Sequence, residues 1–205
     1  MMIALVIILI SYGIGTISPA YILVRLWTGN DIREYGSGNA GTTNVMRILG
    51  AKAAVFVLLM DLLKGVIAVY LGRYMGGEAL AATAGLSAVI GHNWPVTMKL
   101  KGGKGVATSI GVGLMINPFY VWICIALSIF IITFSKYVSL ASITAIPLWT
   151  VLLAITGSPI EHVILGIALS SLVIYRHYAN ILRIYKGTEN RFSLKTKLSK
   201  EERSK

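Results

Sequence analysis

The chain has 205 residues, a mean hydropathy of +0.74, 56% hydrophobic residues and only 13% charged ones. So little polar surface cannot cover a soluble globule of this size, which excludes a water-soluble domain and makes the bilayer the main solvent. The net charge of +11 would suggest nucleic acid in a soluble protein; here the positions of the cations report topology, and no nucleic-acid partner is expected.

A spanning helix needs about 20 apolar residues, because each adds about 1.5 Å across a hydrocarbon layer of about 30 Å. In chain order the candidate spans are residues 3–24, 53–72, 80–97, 105–116, 118–134, 138–157 and 160–176. The first continues through Ser18-Pro19-Ala20 without a basic leader region, so it reads as a retained helix rather than a signal peptide. Residues 105–134 divide at Asn117-Pro118, a capping residue followed by the imino acid favoured at a helix's first position. Ser158 with Glu161 three positions on predicts a capping box for the last span. The expected fold class is therefore all-α, a polytopic membrane protein with seven transmembrane helices forming one domain over 1–205. With seven spans, 17 of the 19 Lys and Arg residues fall on one face, Arg73 falls on the other and Lys64 lies inside a span. The positive-inside rule makes the basic face cytoplasmic, with the N-terminus outside, the C-terminus inside and 191–205 a basic cytoplasmic tail in contact with lipid.

Polar residues gather in short loops on that face. The first holds Gly36-Ser37-Gly38-Asn39-Ala40-Gly41-Thr42-Thr43-Asn44, followed by Arg47. Glycines let successive amides turn toward one anion, the hydroxyls and amides of Ser37, Asn39, Thr42, Thr43 and Asn44 add donors, and Arg47 can fork onto a phosphate. The second loop, Lys99-Leu100-Lys101-Gly102-Gly103-Lys104-Gly105, opens the helix that begins Val106-Ala107-Thr108. A glycine turn at a helix N-terminus presents unpaired N–H groups and the positive end of the dipole, and Lys101 and Lys104 add full charges. Lys104 is followed by Gly105 rather than Ser or Thr, so this is not a Walker A loop and nucleotide hydrolysis is unsupported.

Asp61 and Lys64 stand one turn apart inside the second span, where each costs a few kcal/mol unless paired or facing a polar cavity. A structural ion pair and a substrate-positioning pair both fit. His92 lies at the cytoplasmic end of the third span, and a lone histidine there most often makes interfacial hydrogen bonds. His177, just past the seventh span, is the better candidate because Asn180 and Arg183 follow at one-turn spacings, with Glu189 beyond. His162 is near the opposite face. One dispersed cysteine, Cys124, and no tight His/carboxylate cluster give no metal site, and no cofactor is expected. Trp27, Trp94, Trp122 and Trp149 read as interface or packing residues.

Three motifs in order on one face, Ser37 to Asn44, Gly91-His92 to Gly105, and His177 with Asn180-Ile181, Arg183, Gly187 and Glu189, resemble the bacterial acyl-phosphate:glycerol-3-phosphate acyltransferase family of integral membrane enzymes. The resemblance implies transfer of a fatty acyl group from acyl phosphate to the sn-1 hydroxyl of glycerol 3-phosphate, giving lysophosphatidic acid and phosphate for phospholipid synthesis. It also implies a place in the bacterial cytoplasmic membrane with the active site facing the cytoplasm, membrane lipid as surroundings, and a partner enzyme that supplies acyl phosphate. Carried onto this chain, it makes Ser37, Arg47, Lys104 and His177 the catalytic set. Gly38, Asn39, Gly41, Thr42, Thr43, Asn44, His92, Lys101, Gly102, Gly103, Gly105, Thr108, Asn180, Arg183 and Glu189 become substrate-binding residues, and which loop takes which phosphate stays open.

The chemistry suits such a site. Acyl phosphate is already an activated anhydride, so transfer needs orientation, stabilisation of the leaving phosphate and removal of one proton. No histidine is followed five positions later by aspartate, so the His-x4-Asp motif of other glycerolipid acyltransferases is absent. A transporter of organic phosphates would place its site near the midplane between repeats; these loops sit at one surface and the halves show no symmetry. A lipid-binding scaffold would leave both glycine loops unexplained.

Overall fold

The structure is a computed structural model and describes residues 1–192. Among these residues every regular element is helical: α1 (Met2–Thr16), α2 (Pro19–Thr28), α3 (Thr42–Leu49), α4 (Ala51–Asn93), α5 (Val106–Ile116), α6 (Pro118–Ser135), α7 (Val138–Ile155), α8 (Ile160–Arg176) and α9 (Tyr178–Tyr185), with 3₁₀ turns at Ile32–Glu34 and Val96–Met98. Four helical segments are long and apolar enough to cross a membrane, or five if the α8–α9 pair, bent by 58°, counts as one. The seven spans expected from the sequence are thus not what length and composition alone return. The predicted tail lies outside the described residues from 193 onward.

One difference has a clear cause. The first span is not one helix: the chain leaves helical geometry at Ile17, and Ser18 caps α2 by accepting from the Tyr21 amide at 3.2 Å, with Pro19 at the first position. The second and third expected spans do separate: they are the two arms of α4, parted at Gly76 and Gly77, where Gly77 takes φ +72°. The two arms, 51–75 and 78–93, fold back on each other. A Cβ on Gly72 would stand 2.5 Å from the Leu80 carbonyl oxygen, one on Gly85 would stand 2.9 Å from Val69, and Lys64 Nζ meets His92 Nδ1 at 3.0 Å. These pairs run in opposite order along the chain, as an antiparallel hairpin requires.

Asn117 does divide the next apolar stretch, accepting from the Tyr120 amide at 3.2 Å ahead of Pro118. At 11 residues α5 reaches only about 16 Å, about half the hydrocarbon thickness. The capping box expected before α8 does not form, since Pro159 occupies the cap and makes no side-chain bond.

Bare glycine backbone sets the helix contacts. A Cβ on Gly15 would lie 2.2 Å from the Ala88 carbonyl, one on Gly91 would lie 2.3 Å from the Tyr12 carbonyl, and Ser87 donates to the Ile8 carbonyl at 2.8 Å. Small residues allow this approach in a protein whose helices gain little by hiding from lipid. Because Ile8 meets Ser87 and Tyr12 meets Gly91, α1 runs parallel to the second arm of α4, and the N-terminus lies at the hairpin-tip end. At that end Arg73 and His162 both bind Glu78, at 2.6 and 2.9 Å. A core of Val69, Val89, Val112, Val121, Trp149, Leu153, Leu169 and Val173 joins α4 to α5–α8.

Candidate active site

At the end opposite the hairpin tip, one cavity of about 510 Å³ opens between the first loop, the second loop and α9. Its mouth is lined by Ser37, Asn39, Gly41, Thr42, Thr43, Arg47, His92, Lys104, Gly105, His177, Asn180, Arg183 and Glu189, and its depth by Ile110, Val121, Cys124, Ile125, Ile146, Trp149 and Leu169. A charged, hydrogen-bonding mouth therefore passes directly into an apolar arm between α5, α6, α7 and α8.

The first loop is folded on Asn44. Its Oδ1 accepts from the Ser37 amide at 3.0 Å, and its Nδ2 donates to the carbonyls of Ile32 and Tyr35 at 3.2 and 3.0 Å. This buried side chain is spent inside the loop, which makes it a scaffold for the Ser37 turn rather than a free ligand. Gly36 at φ +58° and Gly38 at φ +69° take the left-handed turn that lets the chain pass over it, and a Cβ on Gly36 would lie 2.3 Å from Asn44 Oδ1. Gly41 then starts α3 without a side-chain cap, leaving the first amides of α3 and the Thr42 hydroxyl at the cavity.

The second loop is built the same way from different parts. Gly105 at φ +79° starts α5, again with no side-chain cap. Gly102 and Gly103 press on the end of α4: a Cβ on Gly102 would lie 2.1 Å from the His92 carbonyl, and one on Gly103 2.0 Å from His92 Nε2. Arg176, at the end of α8, fastens the other side, donating from Nε and Nη2 to the Gly103 carbonyl at 3.1 and 2.7 Å and to that of Gly102 at 3.1 Å, while stacking on Trp94 at 5.4 Å. Two uncapped helix N-termini thus converge on one cavity, an arrangement suited to anions. Arg33 ties the loops together by donating to the Met98 carbonyl at 2.9 Å.

The cations form a connected set. Lys104 Nζ donates to Asn180 Oδ1 at 2.5 Å, and Asn180 Nδ2 donates to Glu189 Oε1 at 2.6 Å. Ser139 donates to the same oxygen at 2.9 Å, and Arg183 Nε donates to Glu189 Oε2 at 2.8 Å. Burial pushes the Glu189 carboxyl up, but the bonds from Asn180, Arg183 and Ser139 outweigh it and hold the group below its usual range. Burial brings Lys104 down to about 8, with Glu189 working against the shift and Arg183, Arg176 and Arg47 adding to it. Burial also lowers Arg47, which lines the cavity and has no hydrogen-bond or ion-pair partner among the described residues.

His177 stands at the bend between α8 and α9. Burial, then the charge on Lys104, push it down to about 4. Its Nδ1 lies 2.8 Å from the Val173 carbonyl, which can only accept, so Nδ1 carries the proton and Nε2 holds a lone pair.

Of the residues expected from sequence, Gly38, Lys101, Gly102, Gly103 and Thr108 do not line the cavity. Gly102 and Gly103 shape the loop from behind, Lys101 is exposed and Thr108 is buried against Gly65. Asp61 and Lys64 are paired at 2.7 Å, and His92 is buried with them rather than placed at the interface. Sequence reasoning missed Arg176, which reads as one more topogenic cation beside a histidine, and Ser139 and Ser142, which sit within an apolar helix without any motif signal.

The family described as glycerol-3-phosphate acyltransferase matches residues 5–187. The chain is 47% identical over 190 residues to a glycerol-3-phosphate acyltransferase of Thermoanaerobacter pseudethanolicus, covering 93% of this chain and 96% of that one. It is 47% identical over 195 residues to that of Alkaliphilus metalliredigens, covering 95% and 99%. Among solved structures, the glycerol 3-phosphate form of PlsY (YgiH), an integral membrane glycerol 3-phosphate acyltransferase, superposes with a TM-score of 0.89 at 38% identity, covering 93% of this chain and 96% of the other. The lysophosphatidic acid form of the same protein gives 0.86 at 36% identity, with the same coverage. With matches of this length and identity on an all-helical architecture shared over 93% of its length, the chain belongs to the glycerol-3-phosphate acyltransferase family.

Proposed function

We propose that this protein transfers a fatty acyl group from acyl phosphate to the sn-1 hydroxyl of glycerol 3-phosphate, releasing lysophosphatidic acid and inorganic phosphate. The observation that carries the reading is the continuity of the cavity: a mouth bearing Arg47, Lys104, Arg183 and two uncapped helix N-termini opens without a break into an apolar arm. A small polar phosphate needs only the first half, whereas an acyl phosphate needs both.

The hydroxyl oxygen attacks the acyl carbonyl carbon, the carbon–oxygen bond to phosphate breaks, and the electron pair leaves on phosphate. Holding both substrates in one cavity supplies the orientation, and the cations and amides at the mouth stabilise the departing anion. No acyl-enzyme is formed. His177 Nε2 accepts the hydrogen bond that orients the glycerol hydroxyl; held near 4, it is a weak base, and the proton ends on a phosphate oxygen. Arg47 and Arg183, with Ser37 and Asn39, grip phosphate groups at the mouth.

The cavity end is the cytoplasmic one in this reading, and the protein is a multi-pass component of a bacterial cytoplasmic membrane. The two arms of α4, with α1, α5, α6, α7 and α8, make seven membrane-embedded helical passes, α5 being a short one. The parallel course of α1 and the second arm supports an N-terminus outside, and the cations at the cavity end support a C-terminus inside. Acyl phosphate is a reactive anhydride, so an enzyme that makes it is the natural partner.

The test is to incubate purified protein with acyl phosphate and glycerol 3-phosphate, without ATP or thioester. Equimolar lysophosphatidate and phosphate are expected. Phosphate release without lysophosphatidate, or uptake of glycerol phosphate into vesicles without chemistry, overturns the assignment.

A further inference from the structure

The buried group of Asp61, Lys64 and His92 has no part in the transfer as described so far, yet Asp61 and His92 line the cavity. Lys64 Nζ makes an ion pair with Asp61 Oδ1 at 2.7 Å and donates to the carbonyls of Ile17 and Gly15 at 2.8 and 3.4 Å, which closes the break between α1 and α2. It also meets His92 Nδ1 at 3.0 Å. An ammonium has protons to give and no lone pair to receive with, so the ring atom bonded to it must be an acceptor. The alternative, Nδ1–H pointing at Asp61, is weaker: that contact is 3.4 Å, and Asp61 Oδ1 has no contact with hydrogen-bond geometry. Lys64 therefore fixes the imidazole with its lone pair on Nδ1 and its proton on Nε2.

That proton points away from the ion pair. Nε2 lies against the bare Cα of Gly103 in the second loop, where a Cβ would stand at 2.0 Å, and the His92 side chain lines the cavity. Among the described residues no acceptor meets it. His92 is thus a fixed donor, 6% exposed, beside the loop that carries Lys104. It is oriented from behind by a charge pair held between α1 and both arms of α4.

We propose, resting on the acyl-phosphate reading above, that the Nε2–H of His92 donates to the acyl carbonyl oxygen of the donor substrate, with Asp61 and Lys64 as positioning residues. The carbonyl of an acyl phosphate sits between the phosphate, held at the mouth, and the chain, held in the apolar arm. It is also the atom that gathers negative charge as the hydroxyl attacks. A donor whose tautomer is set before substrate arrives needs no rearrangement during the reaction.

The test uses the full-length wild-type protein labelled with ¹⁵N-histidine. Its spectrum should show His92 as the Nε2–H tautomer, and the Nε2 proton should move downfield on saturation with an acyl methylenephosphonate, which keeps the carbonyl but cannot transfer. In kinetics, His92→Phe should lower kcat about 100-fold or more, with both KM values within about threefold of wild type. His92→Gln, which restores an N–H, should recover at least about tenfold of that loss. An Nδ1–H tautomer, an unmoved Nε2 proton or a wild-type kcat in His92→Phe overturns the proposal. So does a KM defect for acyl phosphate with kcat intact, which would put the bond on the ground state. If His92→Phe does not fold, the wild-type spectra and His92→Gln decide. Wild-type protein that turns over no acyl phosphate sinks the proposed function instead and leaves the tautomer assignment standing.

Discussion

Replacing Lys104 by arginine should remove the alkaline edge from the pH profile of kcat/KM. Lys104 is brought to about 8 by burial and by the neighbouring Arg183, Arg176 and Arg47. In the proposed reaction its charged form binds phosphate, so binding is favoured below that value and lost above it. In the free enzyme about nine-tenths of Lys104 is charged at pH 7 and about one-tenth at pH 9, so kcat/KM should fall about tenfold per pH unit above 8. A guanidinium stays charged across this range, so Lys104→Arg should hold its kcat/KM flat to about pH 10. Lys104→Met at pH 7 leaves Asn180 Oδ1 without its donor and the phosphate without its cation, a loss of about 3–4 kcal/mol or about 10²–10³-fold. The assay is phosphate release in detergent micelles from pH 6 to 10, corrected for spontaneous hydrolysis of the acyl phosphate. An edge of unchanged position in Lys104→Arg would refute the role given to this lysine.

Other consequences can be checked with the same preparation. Arg176→Lys keeps the charge but cannot reproduce three bonds to Gly102 and Gly103; KM for acyl phosphate should rise about tenfold or more while the melting temperature changes little. Gly103→Ala drives a methyl into His92 and should cost at least about 100-fold in kcat/KM, whereas Gly13→Ala, inside α1 with no atom within 4 Å of the added methyl, should remain close to wild type. Glu189→Gln leaves Arg183 without its counter-charge and Asn180 misdirected; with Arg183 partly exposed, thermal unfolding should show a loss of about 1–2 kcal/mol together with reduced turnover. Gly113→Val intrudes toward Val121 and Trp149 at the apolar arm and should shift preference toward shorter acyl chains in a competition assay with mixed lengths.

Much of this site was legible in the sequence because loops that bind anions need unusual residues in fixed order. The Ser37–Asn44 and Lys99–Gly105 segments stand out against an apolar background, and the structure does bring them to one cavity with His177, Asn180 and Arg183. The pairing of Asp61 with Lys64 followed from the cost of burying either alone. What sequence could not supply is which side of a loop faces the substrate. Asn44, rich in donors and acceptors, turned inward, and Arg176 turned from solvent onto the glycine carbonyls. Hydropathy did not locate the break inside the first apolar stretch. Ser18-Pro19 divides that stretch, whereas the expected boundary between the second and third spans is found at Gly76-Gly77.

Direct transfer requires donor and acceptor to meet in one cavity. A bisubstrate analogue, a long acyl chain joined through a stable phosphonate to glycerol phosphate, measures this in a single inhibition experiment. It should compete with both acyl phosphate and glycerol 3-phosphate and bind at least about 100-fold tighter than glycerol 3-phosphate itself. Competition with only one of the two substrates would mean that they occupy separate sites, and the direct transfer described here would have to be abandoned.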